Sequence, residues 1–290
     1  MFYNIDYHIT DRCNRKCVSC GHFSPLVPTS VKNKSLETVE EDLKALARFP
    51  GITKILTLTG GECTIHPNLR EIVLMALEYF PDTTIHMVSN GLLPERLIAL
   101  KDIFLEHDNI LLTLTDYIHD NTVRLFNELG DTKKIVRYDI QKLGDNMWTS
   151  RDKFYRAFIC EEECTTLDQA SRCHARLQCP QLVDKKLYPC QYLGHYHYFQ
   201  DYFKDQIKVG LYGDEFIELD KCNTVKEIEN FMCGWVQEIC LHCLEPLRYE
   251  GLYENTQPLV DTKYELSEWY VKSMSETNQL NNKDNNNGNQ

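Results

Sequence analysis

Over residues 1–141 short apolar runs alternate with amphipathic segments, and the two periods can be told apart. Tyr3–Thr10 predicts a strand. Leu36, Val39, Leu43, Leu46 and Ala47 share one face of a helix over Ser35–Phe49, stopped by Pro50-Gly51. Ile52–Leu58 predicts a second strand. Pro67 opens a helix bearing Ile72, Val73, Leu77 and Phe80, and Pro81 closes it. Strands follow at Thr84–Ser89, Ile110–Thr115 and Lys134–Ile140, with helices at Pro94–Glu106 and Asp120–Leu129, the latter ended by Gly130. Strands and helices alternating in this way predict parallel βαβ units, with function at the C-terminal ends of the strands.

After about residue 145 the pattern changes, and Asp145–Tyr155 has no clear period. Leu182-Val183 and Leu187-Tyr188 flank Asp184-Lys185-Lys186 as a short hairpin. Thr224-Val-Lys-Glu227 is a capping box for a helix with Val225, Ile228, Phe231 and Trp235 on one side. Thr262-Lys-Tyr-Glu265 is a candidate cap for a last helix. The predicted organisation is a core over 1–160, a cysteine-rich region over 161–260, a helix over 261–277 and a disordered Asn-rich tail over 278–290.

Composition narrows the function. The 290 residues carry a net charge of −12, a poor match to nucleic acid or to an anionic membrane surface. No apolar run approaches a membrane span, and Met1–Asp6 lacks the basic and apolar regions of a signal peptide. Thirteen cysteines, an odd number in a chain without an export signal, disfavour a disulfide framework. They point to a reducing, cytoplasmic setting and thiolate-bound metal.

Cys13, Cys17 and Cys20 follow the first strand in a C-x3-C-x2-C pattern. Three thiolates in eight residues can hold an iron–sulfur cube and leave one iron open; a zinc site or scattered buried thiols are the bland alternatives. The next strand ends in Gly60-Gly61-Glu62 and the third in Ser89-Asn90-Gly91. Glycines allow close backbone approach to a ligand, and Glu62 can accept from an ammonium. Here the chain resembles the radical S-adenosylmethionine (radical SAM) superfamily. The resemblance covers roughly residues 3–141 and implies a partial (β/α)6 barrel, an α/β fold. It implies a SAM-binding 4Fe-4S cluster on Cys13, Cys17 and Cys20. It also implies S-adenosyl-L-methionine held by Gly60, Gly61 and Glu62, with Ser89, Asn90, Thr113 and Thr115 as further contacts. The family's aromatic before the third cysteine is Ser19 here, and Phe23 is the candidate replacement.

Nine cysteines lie between 160 and 243. Cys173, Cys179 and Cys190, then Cys240-Leu-His-Cys243, resemble the twitch version of the SPASM auxiliary-cluster domain, which implies a small cysteine-rich α+β unit with a second 4Fe-4S cluster. The family's glycine falls at Lys185. Cys179 and Cys190 end the hairpin, so the expected ligands are Cys179, Cys190, Cys240 and Cys243, with Cys173 the alternative. A zinc knot fits the spacing equally well. Cys63, Cys222 and Cys233 read as packing, and Cys160 and Cys164 as surface thiols or spare ligands. His195-Tyr-His197 alternates like a strand face. Tyr117, Trp148, Arg151 and Tyr155 could roof the barrel mouth.

The expectation is an oxidoreductase that cleaves S-adenosylmethionine to a 5′-deoxyadenosyl radical, abstracts hydrogen and oxidises a small polar metabolite such as a sugar or aminocyclitol. A flavodoxin or ferredoxin would supply electrons. The sequence opens on its first strand, with no peptide-recognition module before it, which tilts the choice from a ribosomal-peptide maturase to a small molecule. A zinc-stabilised binding protein without turnover is the reading from another class.

Overall fold

The structure, a computed structural model, describes residues 2–138, 153–155, 158–211, 213–234, 236–250, 252, 256–258 and 261–276. Its first part runs β1 (Phe2–Thr10), α1 (Leu36–Ala47), β2 (Thr53–Gly60), α2 (Leu69–Tyr79), β3 (Thr84–Ser89), α3 (Pro94–Ile98), α4 (Lys101–Glu106), β4 (Ile110–Thr115), α5 (His119–Leu129) and β5 (Ile135–Tyr138). The five strands are parallel neighbours in chain order. Ser35 caps α1, its hydroxyl accepting from Thr38 N at 3.1 Å. The helix expected over Pro94–Glu106 is broken at Ala99-Leu100. The break lets Leu97, Leu100, Ile103 and Phe104 all reach the core, and Arg70 takes the freed Ala99 carbonyl.

The second part comprises β6 (Lys153–Tyr155), β7 (Ile159–Cys160), α6 (Leu167–Ser171), α7 (His174–Gln178), β8 (Gln181–Val183), β9 (Lys186–Tyr188), α8 (Gln191–Phe203), β10 (Ile217–Glu218), α9 (Val225–Gly234), α10 (Glu245–Tyr249), β11 (Thr256–Pro258) and β12 (Tyr270–Val271). The expected division at 160/161 is not a division of the sheet. β8 pairs parallel with β1, and β9 and β10 follow antiparallel, giving the order β10-β9-β8-β1-β2-β3-β4-β5. The hairpin turn is as expected, with Asp184 and Lys185 both at positive φ.

Two expectations are corrected. The stretch around His195-Tyr-His197 is helical, because Tyr192, Tyr196, Phe199 and Phe203 recur at helical spacing and bury against Phe23, Leu26 and Trp269. The segment 261–273, expected as helix, is not α-helical, and α-helical residues begin only at 274–276. It forms a 3-10 turn at Leu266–Glu268 and the strand β12, which pairs with β7 and seats Trp269 in the same core. Trp148 and Arg151 lie outside the described residues, as does the 278–290 tail.

Alternation along β1 sets the chemistry of the two sheet faces. Ile5, Tyr7 and Ile9 are fully buried in the main core, and the Tyr7 hydroxyl donates to Asp42 on α1 at 2.9 Å. Asn4, Asp6, His8 and Thr10 therefore point to the opposite, inner face. The register aligns Gln181, Asp6, Thr57 and His86 in one row across β8, β1, β2 and β3. α8 covers the inner face at the β8 end. A Cβ on Gly194 would sit 3.0 Å from the Gln181 Cβ, and His195 stacks on His8 at 3.7 Å.

Candidate active site

Cys13, Cys17 and Cys20 are all partly buried on the loop after β1. Burial pushes the Cys13 thiol up to about 12, and the Cys20 and Cys17 thiols and the Glu62 carboxylate add to the rise. Burial raises Cys20 as well, with Cys17 adding. Buried thiols such as Cys13 and Cys20 need a cation beside them to become thiolates, which suits a metal cluster as the occupant.

The loop is held from the C-terminal segment. Thr262 N donates to Lys16 O at 2.7 Å, the Ser19 hydroxyl to Glu268 O at 2.5 Å, and the Trp269 indole to Cys20 O at 3.1 Å. Ser19, at φ 51, is buried by this strap. Phe23 does not replace the missing aromatic. It is 1 % exposed and packs on Tyr196 and Phe199 in the second core. Tyr117, just past β4, lies closer to the loop. Its ring carries the Arg15 guanidinium at 4.1 Å, and burial raises its pKa, with Cys17 adding to the rise.

The two glycines face this chain's own backbone rather than open space. A Cβ on Gly60, whose φ is 155°, would meet Thr10 O at 2.1 Å; one on Gly61 would meet Arg12 O at 2.2 Å. Gly61 N and Glu62 N donate to Thr10 O and Arg12 O, both at 2.9 Å, tying the turn to the root of the cysteine loop. Glu62 is 3 % exposed. Its Oε1 accepts from Thr64 N (3.0 Å), the Thr64 hydroxyl (2.6 Å) and the Ser89 hydroxyl (2.8 Å); Oε2 accepts from Asn90 N at 2.7 Å. The Asn90 side chain reaches Asn14 Oδ1 at 2.7 Å. Glu62, Ser89 and Asn90 thus join the ends of β2 and β3 to the cysteine loop.

Thr113 lies deeper, in a hydrogen-bonded row along the inner face. His86 Nε2 and the Thr113 hydroxyl are 2.8 Å apart, and His86 Nδ1 and the Thr57 hydroxyl 3.2 Å. Thr57 donates to Asn4 (2.7 Å), Asn4 to Asp6 (2.6 Å), and Gln181 to the other Asp6 oxygen (2.9 Å). Burial raises the Asp6 pKa against these bonds, and burial lowers His86 to about 4. Thr115 is half-buried at the end of β4. Asn4, Asp6, Thr57, His86 and Gln181 were not singled out from the sequence. The polar alternation Asn4, Asp6, His8, Thr10 is the signal that marks this face.

The second set divides. Burial drives Cys190 and Cys243 well up, and thiol neighbours add: Cys240 and Cys173 for Cys190; Cys173, Cys190 and Cys240 for Cys243. Cys173, pushed up to about 11 by burial, also has Cys240 nearby. Cys173, Cys190, Cys240 and Cys243 therefore all lie within electrostatic range of one another. Cys179 is pushed up to about 12 by burial and then by Asp6, Glu245 and Cys173, its one thiol neighbour among these shifts. The reason is α7, whose two ends are Cys173 and Cys179, roughly 9 Å apart at the helical rise. Cys63 and Cys222 are buried as expected, but Cys233 is exposed. Cys160 is fully buried, and Cys164 is partly buried.

No curated protein matches the sequence. Among solved structures, BtrN in complex with AdoMet and 2-DOIA is 17 % identical, with 84 % of this chain and 93 % of that chain covered and a TM-score of 0.49. Streptococcus suis SuiB bound to S-adenosylmethionine is 16 % identical over 73 % of this chain and 67 % of that chain, with a TM-score of 0.42. SuiB bound to the precursor peptide SuiA is 13 % identical, covers 94 % and 75 %, and has a TM-score of 0.38. The segment from Tyr7 to Val136, which carries the cysteine loop and both glycine turns, matches the Radical SAM superfamily.

Proposed function

We propose that this protein is a radical SAM enzyme that oxidises a small polar metabolite of the sugar or aminocyclitol kind. The observation that carries the reading is the hydrogen-bonded row Gln181–Asp6–Asn4–Thr57–His86–Thr113 on the inner face, below the cysteine loop. Donors and acceptors alternate along it, and His86 is neutral at pH 7, so the row suits hydroxyl and amino groups.

Cys13, Cys17 and Cys20 would hold the first cluster. Cys173, Cys190, Cys240 and Cys243 would hold the second, in preference to the set with Cys179, because those four thiols lie within electrostatic range of one another. When bound, the first cluster supplies the electron that cleaves S-adenosylmethionine to a 5′-deoxyadenosyl radical, and the second supplies a place for the electron the substrate gives up. Glu62 has one acceptor site to spare on Oε2, where the methionyl ammonium would bind. Thr115 and Asn90 line the same rim, and Tyr117 walls the loop from water. A flavodoxin or ferredoxin would be the reductant, in the cytoplasm.

The test is anaerobic reconstitution followed by iron analysis and a dithionite assay for 5′-deoxyadenosine. About eight irons per chain and S-adenosylmethionine cleavage are expected. Stoichiometric zinc with little iron would leave a zinc-stabilised binding protein.

A further inference from the structure

A second group of side chains, made of imidazoles, lies beside the cysteine loop. His8 comes from the inner face of β1, His22 follows Cys20, and His195 comes from α8. Their ring nitrogens lie within 4.8 Å of one another. His8 Nε2 and His22 Nδ1 are 2.7 Å apart. His8 Nδ1 lies 3.2 Å from Asp11 Oδ1, and Asp11 Oδ2 accepts from the Tyr198 hydroxyl at 2.6 Å.

His195 is 1 % exposed, and neither of its nitrogens has a hydrogen-bond partner among the described residues. Nδ1 comes only to 3.7 Å from Asp11 Oδ1, too long for a hydrogen bond. Its ring is stacked flat on His8, 3.7 Å between centroids. Buried polar atoms are nearly always satisfied, so two idle nitrogens on one buried ring call for an occupant. Asp11 already does what a carboxylate does behind a metal ligand. In the tautomer with the His8 proton on Nδ1, Asp11 takes that proton and Nε2 turns its lone pair toward His22 Nδ1, while Tyr198 fixes the carboxylate.

We infer that His8, His22 and His195 form a binding site for one divalent cation of the zinc class, with Asp11 and Tyr198 orienting the ligands from behind. Burial drives the His195 pKa well down, so its imidazole is neutral and ready to ligate at pH 7. His195 turns out of its stack to bind, a motion no hydrogen bond opposes. His22 is only partly buried and gives the entry path. Three imidazole nitrogens without sulfur suit zinc, with a fourth position left for water. The cation would link the loop of Cys13–Cys20, bracketed by Asp11 and His22, to α8, which begins beside Cys190.

The experiment is zinc loading of the anaerobically reconstituted protein, followed by metal analysis and zinc K-edge absorption. One zinc per chain beyond the cluster iron is expected, with only nitrogen or oxygen neighbours at about 2.0–2.1 Å. His195→Phe, which keeps a ring against His8, should weaken zinc binding at least tenfold. Asp11→Asn should weaken it about 10–100-fold. Sulfur neighbours at about 2.3 Å, no retained zinc, or unchanged affinity in a folded His195→Phe variant each overturn the site. Should either variant fail to fold, the absorption edge of the parent protein decides alone.

Discussion

Replacing Glu62 by alanine removes an acceptor that serves four nitrogen and oxygen donors in a buried place. The hydroxyls of Thr64 and Ser89 can rotate to other acceptors. The backbone N–H groups of Thr64 and Asn90 cannot, and each buried N–H left unpaired costs about 1–3 kcal/mol. The two together set a loss of roughly 4 kcal/mol. At about 2–4 °C per kcal/mol for a chain of this size class, the melting temperature should fall by about 8–16 °C. Glu62→Gln keeps one oxygen for three of the donors and turns an amide toward Asn90 N, so its loss should be about 1–3 kcal/mol. That milder variant is the one for titration calorimetry with S-adenosylmethionine. If Oε2 also takes the methionyl ammonium, affinity should drop about 10–100-fold, the value of one charge-assisted bond. A Glu62→Ala melting temperature within about 2 °C of the parent would refute the reasoning that this carboxylate joins the strand ends. Unchanged affinity in Glu62→Gln would refute its part in the cofactor site while leaving the structural part intact.

Cys17→Ala should abolish dithionite-driven formation of 5′-deoxyadenosine, because two thiols cannot replace three around the cube. Cys173→Ser should lose about half of the reconstituted iron and Cys179→Ser should keep it, by iron analysis of folded protein; the reverse would restore the Cys179 set. Removing Cys240 and Cys243 together should spare S-adenosylmethionine cleavage but stop oxidised product, once circular dichroism shows the variant folded. Acidification should destabilise the fold through His86. Burial holds it at about 4 against an ordinary 6.5, so the unfolded chain takes the proton first as pH falls. Stability present above pH 6.5 should be lost down to about pH 4, by at most about 3 kcal/mol, and His86→Gln should flatten that slope in urea midpoints.

The parallel strands and their helices are legible in the sequence because each has a strong period and a stop. Ser35 with Pro50-Gly51 and Pro67 with Pro81 bracket their helices in the text as in space. What is not legible depends on partners far along the chain. The alternation of His195 and His197 predicts a strand, but Tyr192, Tyr196, Phe199 and Phe203 decide for a helix once Phe23 and Trp269 are present to receive them. The choice between Cys173 and Cys179 turns on α7, a single short helix between them that spacing cannot reveal. Gly60 and Gly61 are marked as special by their type, yet their neighbours are the carbonyls of Thr10 and Arg12, which only the pairing of β1 with β2 brings near.

That dependence on distant partners explains how an irregular loop can hold three thiols in place. Residues 11–23 contain no helix or strand, so local hydrogen bonds cannot order them. Order comes from three directions: the Gly60–Glu62 turn at the root, α8 through His195 and Tyr198 on one side, and the 261–269 strap over the top. The strap runs directly into β12, which pairs with β7, and β7 bridges to Cys243 through Ile159. α8 starts at Cys190. Two of the three supports of the first cysteine set are therefore continuous with elements that carry the second. Ordering the second set would fix α8 and the β7–β12 pair, which would lower the entropy still to be lost when the first set closes on the proposed cluster. The two constellations are separate in chemistry and coupled in folding, so loading of the first should be easier in a chain whose second set is already filled.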